Sequence, residues 1–188
     1  KKQFLEGIIE KLKKPDLEAI AKRNNEGTIL LAFGSGSKSP ERDVMVEIDL
    51  SKKISKEYNL EEFYSHLRAQ SGLSEKDLNI EAAEVFKDQL FLFNRGKNMI
   101  IKCSLSKFLI YLRANGELPT LEVFRIYLPD IQGIRSGFSG ASLDPDHGIL
   151  FFTATVENTN NWIDDGEVLG SFIGIIELKD LEDEMKPD

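Results

Sequence analysis

The sequence has few of the residues that build the commonest specialised sites. One cysteine, Cys103, and two histidines, His66 and His147, are present among 188 residues. A single cysteine excludes an intrachain disulfide framework, and two histidines in unrelated segments exclude a histidine-rich zinc centre. No apolar run approaches the roughly 20 residues of a membrane-spanning helix, so no membrane span is predicted. No signal peptide is visible in this chain, and a cytoplasmic and an exported location both stay open.

Positive charge is also scarce. Lys and Arg number 24 against 32 Asp and Glu, which gives a net charge of -8. Proteins that bind nucleic acid owe much of their affinity to neutralised phosphates, so this balance argues against such a partner.

The chain contains three similar segments in succession, offset by 63 residues from Glu18 to Glu81 and by 58 from Glu81 to Ser139. Each segment has three short apolar runs, rich in β-branched and aromatic residues and bounded by turn residues, which is typical of strands. The first runs are Asp16–Ile20, Asn79–Ala83 and Gly137–Ala141; the second are Thr28–Phe33, Gln89–Phe93 and Gly148–Thr155; the third are Val44–Leu50, Met99–Leu105 and Phe172–Leu178.

A fourth strand is predicted in the second segment at Glu122–Leu128. Repeated units of four antiparallel strands are typical of propeller blades. The predicted fold is therefore all-β and β-propeller-like, a single domain over residues 1–188 with three blades of roughly 60 residues. The blade-like repeats span about 8–77, 78–134 and 135–178, and an acidic tail follows at 179–188.

Three segments depart from the repeat. Leu60–Arg68 has apolar residues at helical spacing and predicts a short helix. Gly7–Leu12 fits the outermost strand of a preceding blade, although Leu5–Lys14 also fits an amphipathic helix. The tail, Lys179–Asp188, is expected to fray or to form a last helical turn.

Three blades do not close a ring, since propellers have about four to eight. Either N-terminal blades are missing from this chain, which begins with Lys1, or a second chain completes the ring. We expect the first arrangement, and the chain would then be an N-terminally incomplete domain.

The first runs, with Phe152–Thr159 and Asp165–Gly174, resemble an uncharacterised β-propeller family found largely in Bacteroidetes and distantly similar to esterase-like phytase propellers. The resemblance extends from about Lys14 to Leu178. It implies a propeller fold and points to calcium binding or hydrolysis. Ser139 departs from the acidic pattern, because it stands where Glu18 and Glu81 stand in the other segments.

Glu18 and Glu81 occupy the same place in two repeats. On innermost strands both carboxylates would point towards the propeller axis, where they could bind Ca²⁺ through oxygen ligands or serve as a general acid and base. Alternatively, each carboxylate accepts hydrogen bonds from backbone amides of the next blade.

Arg42 and Arg95 follow the second runs of the first two repeats. If their turns share one face, the two guanidinium groups could hold a small anion. Alternatively, each arginine forms a salt bridge with Asp or Glu.

The longest predicted hairpin connection carries Glu157, Asp165 and Glu167 together with Trp162. Carboxylates and a tryptophan in a long loop are typical of binding elements, although the spacing does not match the Asp-rich calcium loop. An ordered structural loop is the alternative.

Two functions follow. The first is a binding or scaffold propeller that recognises a small anionic ligand or a protein and holds a Ca²⁺-type cation in its channel. The second is a phosphoesterase- or esterase-like hydrolase, in which Glu18, Glu81 and Glu157 surround a cation while Arg42 and Arg95 bind an anionic substrate.

Overall fold

The computed structural model describes residues 13–24, 26–158 and 166–181. Within these ranges the chain is mostly β-strand with two α-helices, which agrees with the predicted all-β class. The predicted strand at Gly7–Leu12 and most of the acidic tail lie outside the described residues, as do Trp162 and Asp165.

Two four-stranded antiparallel sheets form the first two thirds of the chain, and in each the strands pair in sequence order. Sheet 1 contains β1 (Leu17–Lys22), β2 (Ile29–Gly34), β3 (Val44–Asp49) and β4 (Ile54–Asn59). Sheet 2 contains β5 (Ile80–Phe86), β6 (Gln89–Asn94), β7 (Met99–Ser104) and β8 (Glu122–Arg125).

The last third forms a small hairpin and a three-stranded antiparallel sheet. The hairpin pairs β9 (Asp130–Ile131) with β10 (Ile134–Arg135), and so crosses the predicted boundary between the second and third repeats. Sheet 3 contains β11 (Gly137–Asp144), β12 (Ile149–Asn158) and β13 (Glu167–Glu177). A 3-10 turn follows at Leu178–Leu181.

Helix α1 spans Glu61–Ser71, where the sequence predicts a helix over Leu60–Arg68. Its apolar residues recur on one face, and Phe63, Tyr64 and Leu67 are buried. The helix ends at Gly72, whose φ of 70° suits the left-handed conformation that glycine adopts readily.

Helix α2 spans Leu105–Ala114 and is not predicted from the sequence, which places Leu105 in a strand. Ser104 caps its first turn by accepting a hydrogen bond from the Lys107 backbone N–H. The Asp88 carboxylate accepts hydrogen bonds from the Ser104 hydroxyl and the Ser106 N–H. These hydroxyl and carboxylate acceptors start the helix immediately after a strand.

The first strand of each sheet shifts register against the second strand at a corresponding residue. The shift lies between Leu17 and Ala19 in sheet 1, between Ile80 and Ala82 in sheet 2, and between Phe138 and Gly140 in sheet 3. The residues passed over are Glu18, Glu81 and Ser139. A register shift of this kind is a β-bulge, which locally bends a strand.

Two apolar cores lie between the sheets. The first lies between sheets 1 and 2 and includes the buried faces of both helices, with Phe33, Phe63 and Phe108 in contact. The second lies between sheets 2 and 3, where Phe138 contacts Phe93 and Phe152 edge to face. Sheet 2 is therefore buried on both faces.

The outer faces of the first and last sheets remain apolar and exposed. Ile173 is 82% exposed and Ile175 61% on sheet 3, beside Phe151. Ile20 is 56% exposed on sheet 1, beside the partly exposed Leu17. In the described part of the chain, no helix has the length and apolar character that crossing a bilayer requires.

Candidate binding site at the first strands

The first strands of the three sheets lie together. Strand β5 packs against β1 on one side and β11 on the other. The three first strands begin at the same end of the stacked sheets. Their first residues therefore lie near one another, and so do their last residues.

A cluster of charged residues lies at the beginning of these strands. The Arg95 guanidinium lies 3.0 Å from a Glu157 carboxylate oxygen and 3.7 Å from one of Glu81. The Asn79 side-chain amide donates to Glu81 over 2.8 Å, and the negative charge of Glu18 acts on Glu81. We call Glu18, Asn79, Glu81, Arg95 and Glu157 the carboxylate–arginine cluster.

The turn that carries Arg95 is fixed by buried hydrogen bonds. The Asn94 side chain accepts from the Asn79 N–H at 2.7 Å and donates to the Asp77 carbonyl at 3.0 Å. The stem of Arg95 lies against Gly137, where a β-carbon would collide with it. A glycine at the start of β11 thus allows the arginine of sheet 2 to reach sheet 3.

Glu81 has an unusual protonation equilibrium. Burial raises the pKa of Glu81 to about 7, although Arg95 lowers it, and the negative charges of Glu18 and Glu157 add to the rise. Because Arg95 is shared between Glu81 and Glu157, Glu81 is left available for protonation near neutral pH.

Arg42 belongs to a separate group. Its guanidinium lies 2.6 Å from Asp16 and donates to the Ser37 hydroxyl over 2.6 Å, and Arg42 is buried. The Ser35 hydroxyl also donates to Asp16, at 3.0 Å. The pairing partners of Arg42 and Arg95 are therefore different carboxylates.

The predicted loop residues have different positions. Glu157 belongs to strand β12, not to a loop, and turns towards Arg95. Glu167 begins β13, pairs in register with Asn158 and is exposed. Trp162 and Asp165 lie outside the described residues.

The residues that contact Glu81 can be compared with the ligands that a calcium ion at Glu18 and Glu81 would require. Asn79 and Arg95 both present hydrogens to Glu81, whereas a calcium ion requires several oxygen ligands. In the described ranges, no three or more His, Cys, Asp or Glu side chains are grouped so that they could hold a metal ion. Calcium binding at Glu18 and Glu81 stays a prediction.

A pocket of about 490 Å³ lies near the other end of the first strands. Each sheet contributes to its wall, and apolar and charged residues are mixed. Its lining comprises Ile20, Ala21, Lys22, Arg23, Asn24, Leu30, Glu84, Val85, Lys87, Ser142, Leu143 and Pro145. We call it the first-strand pocket.

Glu84 is the acidic group of the first-strand pocket. Burial raises the pKa of Glu84 to about 7, while a hydrogen bond from the Leu143 backbone and the charge of Lys22 lower it. Glu84 is not among the site residues predicted from the sequence, although a carboxylate inside the run Ala82–Phe86 is a visible signal. A carboxylate among the apolar residues of a strand requires hydrogen-bond partners or a polar cavity beside that strand.

No curated protein matches the chain. A family model matches residues 1–187, nearly the whole chain, and describes a family of unknown function, DUF6929. The predicted Bacteroidetes origin and the likeness to phytase propellers stay predictions. By the extent of this match, the chain belongs to the DUF6929 family.

Proposed function

We propose that this chain is a ligand-binding domain of the β-propeller type. In this proposal the three sheets are blade-like repeats, and a small molecule binds in the first-strand pocket. The observation that carries it is the convergence of three first strands on one pocket of about 490 Å³ that contains a carboxylate with a pKa of about 7.

The pairing registers support the repeat. Ala19 pairs with Phe33 and Phe33 with Met45; in sheet 2, Ala82 pairs with Phe93 and Phe93 with Ile100. The same steps in sheet 3 lead from Gly140 to Thr153 and Ile173. Equivalent positions in sheets 1 and 2 pack against the next sheet, which is the way successive blades contact each other.

The wall of the pocket indicates the class of ligand. Ile20, Leu30 and Leu143 offer apolar surface. The two lysines Lys22 and Lys87 outnumber the single carboxylate of Glu84, while the third cation, Arg23, is paired with Glu47. An amphipathic molecule with one negatively charged group fits this lining, which agrees with the predicted small anionic ligand.

Octanoate is a suitable first probe, because it combines an apolar chain with a carboxylate. We expect octanoate to raise the melting temperature of the wild-type protein and to bind in isothermal titration calorimetry. Ser142 lines the pocket and is exposed, so Ser142→Trp would fill the pocket without disturbing a core. Ser51→Trp, in an exposed turn, is the matched control.

Binding that is lost in Ser142→Trp and kept in Ser51→Trp would support the pocket as the site. Equal binding in both variants would place octanoate elsewhere. If neither octanoate nor a panel of other amphipathic anions binds the wild type, the proposal fails.

Calcium binding at Glu18 and Glu81 can be tested directly. A calcium titration followed by thermal melting, at pH 8 where Glu81 is largely ionised, compares the wild type with Glu81→Gln. A calcium site at Glu81 requires that calcium raise the melting temperature of the wild type and leave that of Glu81→Gln unchanged. An unchanged melting temperature removes the calcium prediction.

The hydrolase alternative has less support. Arg42 and Arg95 are paired with carboxylates of the chain itself, which leaves their charges compensated before any substrate binds. Hydrolysis of p-nitrophenyl phosphate or acetate by the wild type, lost in Glu81→Gln, would favour the hydrolase over the binding domain.

A further inference from the structure

A second pocket, of about 480 Å³, lies away from the first strands. It is formed by the turn between β6 and β7, the segment that follows β8, and the β9–β10 hairpin. Its lining comprises Lys97, Asn98, Arg125, Ile126, Tyr127, Leu128, Asp130, Arg135 and Ser136. We call it the basic pocket.

The frame of the basic pocket is held by partly buried hydrogen bonds centred on Asn98. The Asn98 side chain donates to the Ser136 carbonyl at 2.7 Å and accepts from the Phe138 N–H at 3.2 Å. The Asn98 carbonyl accepts from the Ile126 N–H at 2.9 Å. Since Ser136 is fully buried and donates its hydroxyl to Pro129, the pocket is built before any ligand arrives.

The basic pocket carries an excess of positive charge, whereas the chain as a whole is negatively charged. Lys97, Arg125 and Arg135 line it in a protein of net charge -8, and Asp130 is the one acidic residue of the lining. The Asp130 carboxylate accepts a hydrogen bond from the Gly133 N–H within its own hairpin turn. A local excess of positive charge on an acidic protein attracts anions.

The two arginines differ from the paired arginines of the chain. Arg23, Arg42, Arg95 and Arg113 each form an ion pair with a carboxylate. Over the ranges that the structure describes, Arg125 and Arg135 form no ion pair, and Lys97 pairs with Asp77 at 2.7 Å. Two guanidinium groups on one pocket are suited to the oxygens of a phosphate or carboxylate.

An exposed aromatic residue extends the pocket. Tyr127 is 96% exposed and follows the pocket-lining Ile126. An aromatic ring left in solvent between two arginine-bearing segments offers a flat surface on which another ring can stack.

We infer that the basic pocket binds an organic oxyanion carried on a planar ring, with Arg125 and Arg135 holding the oxyanion and Tyr127 stacking on the ring. The inference is independent of the first-strand pocket, which shares no lining residue with it.

Three probes separate the contribution of the oxyanion from that of the planar ring: phenyl phosphate, inorganic phosphate and phenol. Binding is measured by chemical-shift changes in ¹H–¹⁵N spectra. Phenyl phosphate should bind most tightly, with the largest shifts at Asn98, Tyr127 and Ser136. Inorganic phosphate should bind at least about threefold more weakly, and phenol should not bind.

The variant Arg125→Gln/Arg135→Gln should weaken phenyl phosphate at least tenfold. Lys52→Gln/Lys107→Gln removes the same charge from exposed residues elsewhere and should bind like the wild type. Tyr127→Ala should lower the affinity for phenyl phosphate to that for inorganic phosphate. Far-ultraviolet circular dichroism verifies that each variant folds, and octanoate binding should be unaffected by all of them.

Absence of phenyl phosphate binding at millimolar concentration would overturn the inference. So would equal weakening in the two double variants, because net charge alone would then explain it. If phenyl phosphate and inorganic phosphate bind equally to the wild type, the role of Tyr127 is wrong.

Discussion

At the scale of single residues, the ion pairs of the arginines differ in how far they are exposed to solvent. Arg95 is buried between sheets 2 and 3 and satisfies carboxylates from both. Arg113 is an exposed residue, and its partner Glu47 also pairs with Arg23. Removing one partner of a buried pair leaves a charge unpaired, whereas solvent replaces the partner of an exposed one.

Arg95→Gln should therefore destabilise the protein by roughly 3 kcal/mol in urea denaturation, because Glu157 and Glu81 lose their counter-charge. The matched control, Arg113→Gln, should change the free energy of unfolding by about 0–1 kcal/mol. Equal losses in the two variants would contradict the structural role of the carboxylate–arginine cluster.

The pKa values of Glu81 and Glu84, both about 7, predict a pH dependence of stability. A carboxyl whose pKa is raised by folding binds its proton more tightly in the folded state. The stability that this tighter proton binding adds to the folded state is fully present below about pH 4.5, the ordinary glutamate pKa. It is lost as the pH rises through 7. The free energy of unfolding should fall over this window.

Glu84→Gln should remove part of that fall, so the variant should gain stability relative to the wild type between pH 5 and pH 8. Urea denaturation at both pH values measures the gain. Glu117→Gln changes the net charge equally at an exposed position, and a gain of the same size in this control would contradict the assignment to Glu84.

At the scale of elements, helix α2 completes the first core. Phe108 is fully buried and contacts Phe33 of β2 and Phe63 of α1. Ile110, two residues later, is 56% exposed. One helix thus joins a sheet to a second helix through one of its faces.

Phe108→Ala should destabilise the protein by roughly 3 to 5 kcal/mol, because it opens a cavity between three elements. Ile110→Ala on the same helix should change stability by less than about 1 kcal/mol. Chemical denaturation of the two variants compares them, and similar values would mean that α2 does not close the core.

At the scale of the whole molecule, three sheets in succession leave two apolar end faces. The face of sheet 3 with Phe151, Ile173 and Ile175 corresponds in register to faces of sheets 1 and 2 that are buried. The exposed Leu17 and Ile20 of sheet 1 correspond to the buried Ile80 and Ala83. A second copy of the chain presents the same two faces. The outer face of sheet 3 in one copy can therefore pack on the outer face of sheet 1 in the other, as sheet 1 packs on sheet 2 within the chain.

The alternative arrangement, in which a second chain packs against these faces, predicts that the chain self-associates in solution. Ile173→Lys/Ile175→Lys should shift sedimentation-velocity profiles towards monomer and leave circular dichroism unchanged, since both side chains are exposed. Ile110→Lys is the control on another surface. A wild-type protein that stays monomeric at high concentration would contradict self-association through these faces.

Local pattern made part of this architecture predictable. The apolar runs at Thr28–Phe33, Gln89–Phe93 and Val44–Leu50 predict strands that are present, because alternation and turn residues are properties of neighbouring positions. Helix α2 was missed, since Leu105 continues an apolar run and the Asp88 side chain that anchors the helix comes from a preceding turn.

The sequence by itself determined the β-rich class and most of the strands, since both depend on short spacings of apolar and turn residues. Only the tertiary structure decided that Arg95 pairs with Glu157, that Glu84 lies in a pocket, and that Arg125 and Arg135 line another. The physical reason is that a charged side chain's partners and solvent exposure depend on which sheets stack together, and stacking joins residues far apart in the chain.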